Sequence, residues 1–323
     1  MTETQPRHRP VVSVVMATYN GRTFLREQLD SIAAQTQQPD ELLIIDDGSS
    51  DGTPELLAEW ARDKPWVRLD RNPRNLGINA TFWRLLTEST GDYVFISDQD
   101  DVWMPEKIEQ MMGIGTDVPM AFSDAEIIDD EGKVTRASEL SRHDWIEGVA
   151  TPPEFFVHGN FVSGHNMMVS RELIRATPEP PHSSVIMYDQ WLTLSAVLQG
   201  GYREIARPLA RHRIHARNAN NNSALNRAAR ATQTRRERAL QRLEKRCRRY
   251  EAFGGFVGKN PRFDRLVGEL QAGSEGIASR WWSATLFRAL WTRRQVLLQG
   301  KTNSQTLRFC IKTSLGGRAW RFM

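Results

Sequence analysis

Residues 93–107 read YVFISDQDDVWMPEK, a short apolar run that stops against four polar residues, three of them acidic. The run has strand length and is closed by turn-forming residues, so it predicts a buried strand that empties into Asp98, Gln99, Asp100 and Asp101. Carboxylates this close repel one another unless a cation or solvent compensates them. Oxygen ligands of this kind suit Mg²⁺ or Mn²⁺, cations that share their coordination with substrate phosphates. The other reading is an exposed acidic turn ahead of Pro105.

Two stretches upstream repeat the arrangement. Residues 11–17 (VVSVVMA) are apolar and β-branched and are closed by Thr18, Tyr19, Asn20 and Gly21; residues 41–46 (ELLIID) are closed by the turn DGSSDGT. Between them Phe24, Leu25, Leu29 and Ile32 recur at helical spacing, Pro54 opens a helix to Ala61, residues 67–69 form a third strand, and residues 79–89 read as a helix. Strands alternating with helices predict an α/β, Rossmann-like, mainly parallel sheet flanked by helices, with ligands at the carboxyl ends of its strands. Three polar turns then share one rim. Further along, a strand is expected at 120–123, a turn at 129–133, and short helices at 171–176 and 190–198.

The chain has 323 residues, 40% hydrophobic and 25% charged, which excludes general disorder and suffices for a large core. Its two cysteines, Cys247 and Cys310, are neither paired by spacing nor set near clustered histidines. No zinc ribbon, redox motif or disulfide framework is readable, and a reducing cytoplasm fits. No run approaches the ~18 apolar residues of a membrane span, and residues 1–9, read as a disordered tail, lack the apolar core of a signal peptide. The expected location is the cytoplasm or the inner face of the cell membrane. The net charge of +4 conceals a division: residues 1–222 carry 21 basic and 33 acidic side chains, residues 223–323 carry 22 and 6. Two parts with different partners are implied.

Taken in order, residues 11–20, IIDDGSSDGT (44–53) and ISDQDDVWMPEK (96–107) resemble the family 2 glycosyltransferases, which have the GT-A fold. The resemblance covers about the first 220 residues. SDQDDVW, NLGINATFWRLL (75–86) and YDQWL (188–192) are most similar to bacterial rhamnosyltransferase-type members. The resemblance implies a GT-A domain over 10–222, with a nucleotide-sugar-binding half at 10–115 and an acceptor-binding half at 116–222. It also implies transfer of a sugar, rhamnose from dTDP-rhamnose, to a hydroxyl of a glycan acceptor with inversion, in cell-surface polysaccharide biosynthesis.

By the same resemblance Thr18, Tyr19 and Asn20 form the loop beneath the nucleotide base, and Asp47 accepts a hydrogen bond from the pyrimidine ring N–H. Asp98 lies near the ribose and metal, Asp100 is the leading metal ligand, and Asp101 organises the turn. Asp189 matches the catalytic base, with an N-cap as its other reading. His215 matches the histidine of a Tyr-Arg-x-His segment and is expected in the metal shell or on the diphosphate, with Arg213 and Arg217 adding positive charge. Here the chain departs from the pattern, since His212 replaces the tyrosine and Ala216 a glycine. Residues 160–168 (NFVSGHNMM) match the acceptor side, where Gly164 permits close backbone approach and His165 or Asn166 meets sugar hydroxyls. Trp103 and Trp191 read equally as stacking platforms or core.

The basic C-terminal region, 223–323, is expected to be mostly helical. Residues 227–249 carry ten basic and two acidic side chains. Charge alone supports a nucleic-acid partner there, without any recognition motif. Residues 280–298 mix Trp281, Trp282, Leu286, Phe287, Leu290 and Trp291 with Arg288, Arg293 and Arg294, as an interfacial helix on anionic lipid would. A lipid-linked acceptor would make that useful; packing against the catalytic domain or another subunit is the alternative. A sugar nucleotidyltransferase would need a glycine-rich phosphate loop, which Thr18-Tyr19-Asn20-Gly21 does not provide. A non-catalytic membrane or nucleic-acid module with a degenerate transferase domain would have no need of the retained acidic positions.

Overall fold

The computed structural model describes residues 9–140, 151–181, 185–216, 218, 234–256, 258–275, 277, 280, 282–297, 302–315 and 319. The tail expected over 1–9 (all but Arg9), the basic run before Thr234, Arg217, Trp281 and Leu298 lie outside the described residues. The chain divides into two compact units, one of Met1–Ser141, Val162–His182 and Gly200–Arg213, the other of Arg142–Phe161, Ser183–Gln199 and Ile214–Met323. The units interleave along the chain, whereas the contrast about residue 222 is one of charge.

The first unit contains β1 (Val12–Thr18), α1 (Leu25–Ala33), β2 (Glu41–Asp46), α2 (Thr53–Ala61), β3 (Val67–Arg71), α3 (Ile78–Glu88), β4 (Tyr93–Ser97), β5 (Val102–Trp103), α4 (Lys107–Gly115), β6 (Met120–Ile128), β7 (Val134–Arg136), β8 (Met167–Ser170) and α5 (Arg171–Ala176). The second unit takes α6 (Tyr188–Gln199), and the chain returns to the first for β9 (Arg203–Arg213). One sheet runs β3-β2-β1-β4-β8-β6-β9-β5, with β7 added to β6. β2 is buried along its whole length and β1 nearly so, as strands covered on both faces must be.

Register decides where the site falls. β1 runs parallel to both neighbours, with Thr18 opposite Asp46 of β2 and Met16 opposite Ser97 of β4. Their carboxyl ends therefore lie side by side on one edge, and the three polar turns follow there. Gly48 and Gly52 turn the chain at φ +84° and +85°, a region that costs a Cβ-bearing residue strain. Beyond β4 the sheet is mixed: β8 is antiparallel to β4 and β6, β6 is parallel to β9, and β5 is antiparallel to β9. The β6–β9 register slips around Asp124, which faces Pro208, a residue with no N–H to give the ladder.

In the second unit α6 is followed by α7 (Arg235–Ala252), α8 (Pro261–Ser274), α9 (Ala284–Thr292), α10 (Arg294–Leu297) and α11 (Asn303–Ser314). A capping box between Thr234 and Glu237 starts α7. Two of its arginines turn inward: Arg249 donates to the carbonyls of Val157 and Val185 and to Gln190 Oε1, and Arg246 to the carbonyl of Thr313. Residues 280–298 are not the single helix expected of them. Arg293 breaks the segment into α9 and α10, and Leu286, Ala289, Leu290 and Leu297 are buried within this unit. Amphipathic spacing shows that a face is covered, not by what. Trp282 stays exposed at 38%, with Phe287 and Trp291 half-buried beside it. Among the described residues no helix is long and apolar enough to cross a membrane.

Candidate active site

Backbone and side-chain hydrogen bonds stitch the three turns into one rim. Asp47 N donates to the Thr18 carbonyl at 2.7 Å. Gln99 reaches Tyr19 twice, accepting from its N at 2.9 Å and donating to its carbonyl at 3.2 Å. Asn20 N donates to Ser49 Oγ, Ser50 N donates to Asn20 Oδ1, and Asn20 itself holds a positive φ of 49°. The Tyr19 side chain is left 49% exposed at the rim.

Asp47 is buried, and its Oδ1 accepts from Asn72 Nδ2 (2.7 Å) and Leu76 N (2.8 Å) while Oδ2 accepts from Gly77 N (3.0 Å). With two lone pairs per oxygen, Oδ2 keeps capacity for one more donor. Asp46 ends its strand structurally, accepting from Thr18 Oγ1 and Ser49 N and pairing with Arg71.

Next to the rim lies a cluster of carboxylates and imidazoles. His165 Nδ1 is 3.8 Å from Asp98 Oδ2 and 3.9 Å from Asp101 Oδ2, and its Nε2 is 3.4 Å from Glu139 Oε2. Glu139 Oε1 is in turn 3.3 Å from His212 Nδ1. Each group is aimed by its own element. Asp101 is fully buried, with Oδ1 accepting from Arg213 N. Glu139 is fixed by its backbone N–H, which donates to the Ala125 carbonyl and Asp124 Oδ1. His165 sits in the 3₁₀ turn Gly164–Asn166 ahead of β8, and its carbonyl accepts from Lys107 Nζ at 2.7 Å.

The electrostatics match that crowding. Burial, then the neighbouring Asp101 charge, pushes the Asp98 carboxyl up to about 7 although 38% of its side chain is exposed. Burial opposes charge on His212, yet its hydrogen bond to Glu139 and the Asp101 charge outweigh it and hold the imidazole up at about 9. Burial also works against Glu139, but the imidazoles of His165 and His212 take its carboxyl well below the ordinary range. Lys107 is brought down to about 7 by burial, against the pull of Asp101 and Asp98.

Of the buried polar atoms here, Asp101 Oδ2 has no hydrogen-bond partner among the described residues, and His165 Nε2 meets only Glu139 Oε2, at 3.4 Å. Ligand-type atoms of Asp98, Asp101 and His165, and of Glu139, His165 and His212, converge within 4.8 Å of one another in each set. Hard oxygens with imidazole nitrogens fit a divalent cation, and an orphaned carboxylate oxygen is what such an ion would satisfy.

Other expected residues fall as follows. Asp100 is half-buried between these carboxylates in sequence, its carbonyl accepting from Arg213 Nε at 3.0 Å. The expectation that Arg213 offers charge to a diphosphate is overturned. Its guanidinium is buried and committed to the carbonyls of Asp100, Asp129 and Asp130 and to Glu27, above the Phe24 ring. Trp103 and Trp191 are core residues, the first beneath Lys107 and beside Phe95, the second against Phe253 and Phe256.

Asp189 belongs to the second unit and is the second residue of α6, so it lies inside the first turn and is not its N-cap; its Oδ1 accepts from Gln190 N. His215 also belongs to that unit, and its N–H donates to Asn218 Oδ1. Sequence reasoning missed Glu139, Lys107 and the role of His212. Lys107 stood in the quoted motif and His212 at a noted departure, while Glu139 carried no local signal.

The chain belongs to Glycosyl transferase family 2, whose family match covers residues 13–177, just over half of the sequence. Among curated relatives it is 26% identical over 211 residues to the uncharacterized protein Rv1520 of Mycobacterium tuberculosis, covering 64% of this chain and 59% of that protein. It is 27% identical over 172 residues to the uncharacterized glycosyltransferase MJ1057 of Methanocaldococcus jannaschii, covering 52% and 58%. The chain thus spans under two thirds of the length of these relatives. In fold it is similar to the mannosyltransferase PcManGT of Pyrobaculum calidifontis in complex with GDP-Man and Mn²⁺, with TM-score 0.53 and 20% identity over 94% of this chain and 79% of that one. It is likewise similar to S. aureus TarS 1–349 in complex with UDP-GlcNAc, with TM-score 0.51 and 15% identity over 89% and 81%.

Proposed function

We propose that this glycosyltransferase moves a sugar from a nucleotide diphosphate donor to a hydroxyl of a glycan acceptor, with inversion, in building a cell-surface polysaccharide. The observation that carries the reading is the rim at the ends of β1, β2 and β4, which joins an exposed aromatic, a nearly satisfied buried Asp47 and an acidic cluster with an orphaned buried carboxylate oxygen. The fold neighbours' complexes with GDP-Man and UDP-GlcNAc support the donor class.

In this reading Thr18, Tyr19 and Asn20 hold the base, and the acceptor capacity left on Asp47 Oδ2 receives a uracil or thymine imide N–H. Asp98 lies toward the ribose, and Asp100, with His215, joins the ligands of a divalent cation, Mg²⁺ or Mn²⁺. Bound there, that cation supplies compensation for charge growing on the diphosphate leaving group. A sugar hydroxyl is a weak nucleophile, and Asp189 takes its proton. The amino end of α6 favours the ionised carboxylate that this role needs. Gly164 gives the acceptor side a close backbone approach; the His165 ring, 2% exposed, orients the carboxylates as well as bounding that side. Rhamnose from dTDP-rhamnose is the donor suggested by SDQDDVW and YDQWL.

The basic surplus of residues 223–323 and the Trp282, Phe287 and Trp291 group support attachment to an anionic inner membrane face, where a lipid-linked acceptor would reside. A panel of nucleotide-sugar donors, with and without Mn²⁺ or Mg²⁺ and read by nucleotide diphosphate release, tests the reading. Metal-dependent release from one donor, abolished in Asp100→Ala, is expected; release that ignores metal and survives in that variant rejects it. Co-sedimentation with anionic vesicles tests the attachment, and no binding by the intact chain removes it.

A further inference from the structure

Away from the acidic cluster, the second unit holds a cavity of about 360 Å³ lined by Glu154, Pro261, Arg262, Arg265, Arg293 and Val296. Arg262 and Arg265 stand three residues apart near the start of α8 and so share one face of it. Arg293 comes from the break between α9 and α10, and Glu154 from the 3₁₀ turn Pro153–Val157.

The arginines here are not all committed. Arg293 is fixed by Glu269 through two bonds of 2.7 and 3.2 Å. That hydrogen bond first, then the charges of Arg293, Arg288 and Arg265, lowers the Glu269 carboxyl, so three guanidinium groups act on one carboxylate. Arg262 and Arg265 have no side-chain hydrogen bond or ion pair among the described residues, and neither does Glu154. Against Glu154, Asp264 and Glu269 stand Arg262, Arg265, Arg288 and Arg293, which leaves positive charge in surplus.

The helix terminus itself is already occupied. Asn260 Oδ1 takes the N–H groups of Arg262 and Phe263, and Asp264 Oδ2 takes that of Gly258. What remains to bind an anion is the fork of guanidinium donors, whose planar geometry suits phosphate oxygens. Pro261 and Val296 give the cavity one apolar edge, where the first carbons of a phosphate ester can rest.

We propose that this cavity binds the phosphate or diphosphate of a phosphorylated ligand, separately from the donor's own diphosphate. A carrier diphosphate on a lipid-linked acceptor is one source, and that part rests on the transferase reading; a membrane phospholipid headgroup is another. The shared chemistry is a phosphate ester met by two unpaired arginines.

Calorimetric titration of the full chain with inorganic pyrophosphate tests this, in EDTA so that no metal-bridged binding occurs at the carboxylate cluster. Saturable binding is expected, weakened on the order of ten-fold or more in Arg262→Gln/Arg265→Gln with an unchanged unfolding midpoint. Equal affinity in both proteins, or no binding by the unmodified chain at millimolar pyrophosphate, overturns the site. Vesicles of phosphatidylglycerol and of phosphatidylcholine separate the sources. Pyrophosphate that releases the chain from phosphatidylglycerol supports the site and assigns it to a headgroup. Vesicle binding indifferent to pyrophosphate and to the double variant, alongside the ten-fold loss in solution, supports the site and assigns it to a soluble or acceptor-borne phosphate. Because neither readout involves sugar transfer, failure here leaves the transferase reading standing.

Discussion

Lys107 has no solvent exposure, donates to the His165 carbonyl and lies 4.4 Å over the Trp103 ring, so one buried amine holds the turn that carries a cluster imidazole. Lys107→Met keeps the length of the side chain and removes the donor, leaving that carbonyl unsatisfied. A loss of about 1–3 kcal/mol is expected in urea unfolding, and an unchanged midpoint would deny the Lys107 donor this role. At Asp189 the expectation is kinetic. Asp189→Asn should retain donor binding while turnover falls on the order of 10²–10⁴-fold, the usual worth of a positioned base, and full turnover would dismiss it. These residues differ in how far the sequence discloses them. Asp98 and Asp101 announce themselves because they follow an apolar run directly. Glu139 meets His212 across 73 residues, and nothing in SELSR at 138–142 foretells the pairing of β6 with β9 that brings them together.

Among the elements, β9 shows how an arginine-rich stretch becomes a strand inside an α/β unit. Arg203 pairs with Asp117, Arg207 with Glu106, Arg211 with Glu126 and Arg213 with Glu27, so its charges are met one after another by carboxylates of other segments. No hydrophobic alternation marks it, and Pro208 argues against a strand, which is why periodicity passes over it while β1, β2 and β4 are plain in their apolar runs. The segment 280–298 differs in another way: its amphipathic pattern is real, but Arg293 divides it into two helices and much of its apolar face packs inside its own unit. Arg213 is where β9 acts on the site, since it holds the backbone of Asp100 and of Asp129 and Asp130. Arg213→Met should cost about 2–4 kcal/mol by stranding those carbonyls, and should weaken metal-dependent nucleotide binding with it. Wild-type unfolding and binding in that variant would show the clamp to be dispensable.

Across the whole molecule, the contrast between the acidic first 222 residues and the basic last hundred is legible from charge alone, and it does not coincide with the two compact units. Which helices join which unit was not legible, since α6 lies between β8 and β9 in sequence yet packs with the C-terminal helices. The second unit carries a pH-sensitive group of its own. Burial, with the charges of Arg249 and Arg246 added, lowers His158 to about 3, and its Nε2 meets the Tyr250 hydroxyl at 3.3 Å. The unfolded chain protonates this histidine near 6.5, so its contribution to stability is complete above that pH and is lost as pH falls toward 3. Between pH 6.5 and 4 the unfolding midpoint of the wild type should therefore drop more steeply than that of His158→Gln; parallel slopes would contradict this. The central claim, that the rim and acidic cluster hold a nucleotide diphosphate through a divalent cation, is tested most directly by calorimetric titration of dTDP and UDP in the presence and absence of Mn²⁺. The account predicts Mn²⁺-dependent binding that is lost in Asp100→Ala and kept in Asp189→Asn; binding of equal strength without Mn²⁺ and in Asp100→Ala would contradict it.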